Sequence, residues 1–322
     1  MFNNFLNELK ELINKYENQN ENQIENIKEL LKNGADINIQ NKYGKTALIN
    51  VSIHGNKECI EILLKNEANI NIQDDEGNTA LIYASQKGHT ECLEILINYE
   101  DNINIQNKYG NTALIDASFN GHIKCIELLL KKGADPNIQN KERFTALIYA
   151  SKNRHIWCVE LLLKNGADPN IQEKWKRTAL FHASRRGYKE CVEILLKNGA
   201  DINIQDKYGN TALSEASEKG HTECVEILLK NGADPNSKDV LIYASKNGHK
   251  ECIELLLKNG ANPNIQNKMT ITPLMYAYYY DYKECIEILL KYGADPNIND
   301  IIYNRYFNSK YKKIKLLLPS KQ

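Results

Sequence analysis

Cysteine and histidine are the side chains here with the most chemistry to offer, and their spacing decides what they do. Cys59, Cys92, Cys125, Cys158, Cys191 and Cys224 follow one another at 33 residues, and Cys252 and Cys285 continue the series after one interval of 28. Thiols can close disulfides, hold zinc or attack as nucleophiles. A fixed interval instead puts each thiol at one position of a repeated element. Elements stacked ~8–10 Å apart keep their Cα atoms beyond the ~7 Å reach of a disulfide. The cysteines therefore read as small buried hydrophobes, and eight unpaired thiols fit a reducing compartment.

His89, His122, His155, His221 and His249 also recur once per interval. A metal ion needs ligands converging within about 2.0–2.2 Å, which one histidine per repeat cannot provide. Glu pairs such as Glu58 and Glu61 have the look of an acid/base dyad. They lie on the polar side of a helical run, however, and Glu61, Glu127 and Glu160 precede Lys65, Lys131 and Lys164 by four, the spacing of a surface ion pair. Ser118 and its equivalents sit beside alanine in a run of small core residues. No phosphate-cradling glycine loop, HExxH or GxSxG is found. The chain reads as a protein without catalytic residues, cofactor or metal.

The element that positions these residues is the stretch from Asn107 to Gln139. Its Thr-Ala-Leu start recurs at Thr46, Thr79, Thr112, Thr145, Thr178 and Thr211. Asn107-Lys108-Tyr109-Gly110 is a tight-turn sequence. Thr112 can cap a helix over about Ala113 to Phe119, which Asn120-Gly121 ends. A second helix from His122 to about Lys131 carries Cys125, Ile126, Leu128, Leu129 and Leu130 on a wide apolar face. Neither helix can bury that face alone, so neighbouring units must stack.

This unit resembles the ankyrin repeat, a 33-residue turn and helix pair that begins Thr-Pro-Leu-His-x-Ala. Here the start reads Thr112-Ala113-Leu114-Ile115-Asp116-Ala117, and only Thr272-Pro273-Leu274 keeps the proline. Gly121-His122 and Gly133-Ala134-Asp135-Pro136-Asn137 carry the likeness further. The resemblance implies an all-α repeat solenoid of helix-turn-helix units with β-hairpin loops, in which each loop histidine hydrogen-bonds to its neighbour. It also implies a protein-binding role.

The expected organisation is a capping half-repeat over 1–36, in which Asn26 takes the place of the cysteine, and eight repeats within 37–299. Their bounds are about 41–73, 74–106, 107–139, 140–172, 173–205, 206–238, 239–266 and 267–299, with a degenerate cap over 300–322. The array needs no division into domains. Four departures stand out. Glu67 and Glu100 replace the glycine after the second helix, and Asp101 the alanine beside it, predicting a rebuilt junction. Arg143 and Lys176 replace hairpin glycines. Arg154 replaces the glycine between the helices. Repeat seven is five residues short between Asn236 and Leu241, predicting a missing hairpin with Asp239 as the helix cap.

Lys+Arg and Asp+Glu are 41 each, so no overall charge points to nucleic acid or membrane. No apolar run reaches the ~18 residues of a membrane span, and the start lacks a secretory pattern. A cytoplasmic monomer is expected, in its own cell or a host's.

Function is left to the surface. Asp75, Glu76 and Asn78 of repeat two become Lys174, Trp175 and Arg177 in repeat five. Gln86 and Lys87 become Phe119 and Asn120, then Arg185 and Arg186, then Tyr279 and Tyr280. The resemblance places partners in the concave groove of hairpin tips and first helices. The expected contact residues are Tyr109, Phe119, Glu142, Arg143, Phe144, Trp175, Lys176, Arg177, Arg185, Arg186 and Tyr208. Tyrosine, tryptophan and arginine dominate binding hot spots. The expected partner is a protein with an acidic surface and an apolar anchor. The alternatives are a polyanion or nucleic acid at the basic centre, or a purely structural spacer.

Overall fold

The computed structural model describes residues 21–100 and 102–298. The expected cap over 300–322, Asp101 and the side chain of Asn26 lie outside them. The chain forms two compact units, Met1–Lys174 and Trp175–Gln322. The boundary falls in the hairpin of repeat five, beside the Lys176 that replaces a glycine.

Each unit is a stack of helix pairs. In the first, Glu21–Lys32 leads to Ala47–His54 with Lys57–Lys65, Ala80–Lys87 with Thr90–Ile97, Ala113–Asn120 with Ile123–Lys131, and Ala146–Lys152 with Ile156–Lys164. In the second, the pairs are Ala179–Arg186 with Lys189–Lys197, Ala212–Lys219 with Thr222–Lys230, Val240–Lys246 with Lys250–Lys258, and Pro273–Tyr279 with Lys283–Lys291. Within a unit, first helices pack on first helices and second on second. None of the described residues forms a β-strand. The hairpins are tight turns, joined tip to tip by single backbone bonds such as Lys108 N–H to Glu76 O at 2.9 Å and Lys207 N–H to Trp175 O at 2.9 Å.

The start of each first helix follows from its threonine. Thr112 is extended, and its hydroxyl accepts the Ile115 N–H at 3.3 Å; such a cap contributes about 1 kcal/mol. Ala113 to Ser118 are all buried, because a first helix has neighbours on both sides. Second helices bury a stripe only, in repeat three Cys125, Ile126 and Leu129. Leu114, Ile115, Ile126 and Leu129 are at most 1% exposed. At about 1.5–3 kcal/mol for each such side chain, their burial outweighs surface ion pairs worth at most about 1 kcal/mol. Of those pairs, Glu61–Lys65 and Glu127–Lys131 form at 3.5 and 2.9 Å.

All eight cysteines are buried and none closes a disulfide. Burial pushes the Cys59 thiol up to about 11 and the Cys224 thiol up to about 12, so both stay protonated at neutral pH. The loop histidines clamp one repeat to the next. His122 Nε2 bonds to Gln86 O at 3.1 Å, and His221 Nε2 to Arg185 O at 3.1 Å. Each ring lies over the glycine that ends the preceding first helix, so a Cβ on Gly88 would meet His122 Nδ1 at 2.6 Å. Amide ladders hold the tips: Gln73 Nε2 donates to Gly77 O at 2.7 Å and to Gln106 O at 3.1 Å, and Gln106 does likewise one repeat on.

Where glycine is missing, the backbone keeps its shape. Glu67, Arg143, Arg154, Lys176 and Thr270 all take positive φ, between 60° and 67°. Repeat two is rebuilt: its second helix stops at Ile97 after eight residues, and Glu100 Oε1 accepts the Asn102 N–H at 2.8 Å. In repeat seven Asp239 precedes the helix, but at φ 56° its side chain makes no capping bond. Shortening the loop forces a left-handed residue at the helix start, which aims the carboxylate away from the N–H groups it was expected to cap. The Lys238 ammonium donates to Tyr208 O, the carbonyl that a full-length hairpin would have met with a backbone N–H.

Candidate functional site

In the first unit, the face made by hairpin tips and first-helix ends carries Tyr109 at 59% exposure and Phe119 at 48%. Phe119 meets the Tyr149 ring edge-on at 5.3 Å, and Phe144 stacks on the same ring at 4.7 Å. Sequence spacing alone hid Tyr149, which touches two aromatic residues predicted as contacts. Lys152 Nζ sits 5.0 Å above the Phe144 ring. Glu142 pairs with Lys174 at 3.2 Å, and Arg143 is exposed at the hairpin tip.

Beside this aromatic run is a pocket of about 430 Å³, lined by Gln86, Lys87, Asn111, Asp116, Phe119, Asn120 and Tyr149. Asp116 is 6% exposed and takes one side-chain hydrogen bond, from Asn111 Nδ2 at 2.8 Å. Burial pushes its carboxyl up to about 6 against the pull of that bond.

In the second unit, Trp175 stacks on Tyr208 of the next hairpin at 6.2 Å, with Lys207 Nζ 4.9 Å above its ring. Trp175 thus covers its neighbour and still leaves 42% of its surface exposed; Tyr208 leaves 54%. Lys176 and Arg186 are exposed. Arg177 and Arg185 are tied into the scaffold. Arg177 occupies the position at which Asn78 accepts from Asn107 at 2.8 Å, and it donates instead to the buried Asp206 at 3.3 Å. Arg185 lies 3.6 Å from Glu215, whose side chain is 5% exposed. The basic character read from the sequence is therefore partly answered inside the fold. An arginine opposite a buried carboxylate holds a stack together before it meets any partner.

On the second-helix side, Trp157 is 71% exposed. It takes the place of Glu58, Glu91 and Glu190 in other repeats. That exchange of a charge for an indole was visible in the sequence. Among the described residues no three His, Cys, Asp or Glu are grouped to hold a metal ion, and no helix is long and apolar enough to cross a membrane.

The family model for ankyrin repeats (3 copies) matches residues 15–107, 99–173, 147–239 and 237–300. A search of curated proteins found no match. Ankyrin repeats are generally protein–protein interaction modules. The turn, threonine-capped helix, glycine and clamping histidine recur in register over most of the sequence, and the chain belongs to the ankyrin-repeat family.

Proposed function

We propose that the chain is a binding module that takes up another protein on the face of hairpin tips and first-helix ends. The observation that carries this reading is the exposure of large aromatic side chains there: Tyr109, Phe119, Trp175 and Tyr208 each leave between 42% and 59% of their surface to solvent. Phe119, Trp175 and Tyr208 are held by ring contacts, and rings so held lose little rotamer freedom on binding, which favours tight association. In the second unit, the Trp175–Tyr208 pair would receive an apolar anchor, with Lys176, Arg186 and Lys207 meeting acidic groups around it. The partner is accordingly a protein with an acidic surface and an apolar anchor.

A pull-down with the intact chain, read by mass spectrometry, supplies the partner. Its affinity is then compared for wild type, Trp175→Ala/Arg186→Glu and, as a control on the second-helix side, Trp157→Ala. Arg177 is left alone, since a carboxylate there would face the buried Asp206. A loss of tenfold or more is expected for the double change, about 2 kcal/mol or more for a hot spot, and none for Trp157→Ala. The opposite pattern would move the site to the other side of the repeats. A steep fall in affinity with salt would point to a polyanion instead.

A further inference from the structure

The pocket beside Phe119 has a composition that the proposed binding role does not by itself explain. Two carboxylates occupy the same register of a first helix, Asp116 in the first unit and Glu215 in the second. Glu215 is answered by the Arg185 guanidinium at 3.6 Å. Asp116 is equally buried, lines the pocket and is met only by the Asn111 amide. Lys87, the one cationic residue of the lining, is exposed, and only burial and the Asn111 bond act on the Asp116 carboxyl. A buried carboxylate without a counter-charge is costly. The repeats offer less costly occupants for this position: Asn50, 6% exposed, in repeat one, and Tyr83 and Tyr149 in repeats two and four.

We propose that this pocket seats one cationic side chain, arginine or lysine, from a bound protein segment. Asp116 would supply the counter-charge, and the Phe119 and Tyr149 rings the wall along which the side chain lies. A guanidinium suits both halves, since it pairs with carboxylate oxygens in a plane and rests on aromatic rings. The alkyl stem of either residue would cover the exposed part of Phe119. The proposal rests on the reading that this face binds protein. It adds one basic residue to a partner otherwise expected to be acidic.

The test selects a phage-displayed library of random linear peptides on the intact chain. Selected peptides should share one fixed arginine or lysine. Changing it to glutamine, or Asp116→Asn in the chain, should each weaken binding about tenfold or more. The two changes together should weaken it no further than either alone, because they remove one contact. Asn50 already fills this register in repeat one, so Asp116→Asn is expected to fold. Asp116→Tyr, for which Tyr83 and Tyr149 are precedents in the same register, is the second variant, and circular dichroism checks both. Peptides without a basic residue, displaced by Tyr109→Ala or Trp175→Ala and indifferent to Asp116→Asn, would overturn the pocket and leave the binding face standing. Failure to select any peptide, or selection of peptides indifferent to all these changes, would overturn both.

Discussion

Replacing Gly88 by alanine separates the two reasons for glycine at the turn between helices. Gly88 has φ 74°, and an added Cβ would meet His122 Nδ1 at 2.6 Å. Gly133, at φ 85°, has nothing within 4 Å of the same point. Gly133→Ala therefore carries only the backbone penalty, about 1 kcal/mol. Gly88→Ala carries that penalty and also displaces a ring whose Nε2 bonds to Gln86 O at 3.1 Å. Losing that bond adds about 1 kcal/mol, and lost packing brings the total to about 2–3 kcal/mol. In a His122→Ala background the ring is gone, so Gly88→Ala should cost about 1 kcal/mol again. The coupling of about 1–2 kcal/mol is read from urea denaturation of the four variants in the cycle. Repeat arrays open in parts, so native-state hydrogen exchange over Ala80–Lys87 and Thr90–Ile97 supplies the local measure. Equal costs for Gly88→Ala with and without His122 would refute the clamp as the reason for this glycine.

Glu67, at φ 67°, stands where other repeats have glycine; Glu67→Gly should raise stability by roughly 0.5–1 kcal/mol, seen as a higher urea midpoint with an unchanged slope. The eight thiols should react with a maleimide only after denaturant is added, since all eight are buried; rapid native labelling of most of them would contradict the packing. Asp116→Asn should stabilise the unliganded chain at pH 7 by roughly 1–3 kcal/mol. With its folded value raised from 3.8 to about 6, Asp116 favours folding below the unfolded value and loses that contribution as pH rises through 6. The advantage of the variant should therefore vanish below about pH 4 in denaturation series across pH, and an advantage independent of pH would show that the carboxyl is not strained by burial.

What was legible in the sequence is what repeats locally. Thr112 and Gly121 mark the ends of the first helix within one residue of where they fall, and the cysteine interval foretold burial without bridges. Contacts that join consecutive repeats were harder to read, because each depends on a residue about one period away. Arg177 reads as a groove charge until Asp206 is placed 3.3 Å from it. The pocket needs Asp116 and Tyr149 together, 33 positions apart. Lys238 looks like a loop residue until the shortened hairpin leaves Tyr208 O for it to meet. Asp239 failed as a cap because residue type does not report φ, and a loop five residues shorter turned its backbone left-handed.

Whether a protein partner occupies the face of hairpin tips and first-helix ends can be read from hydroxyl-radical footprinting of the intact chain with and without the captured partner. Both tryptophans are exposed, Trp175 at 42% on that face and Trp157 at 71% on the second-helix side. Bound partner should shield Trp175 and Tyr208 from oxidation while Trp157 is modified at its free rate. Shielding of Trp157 with no change at Trp175 and Tyr208 would contradict binding on that face.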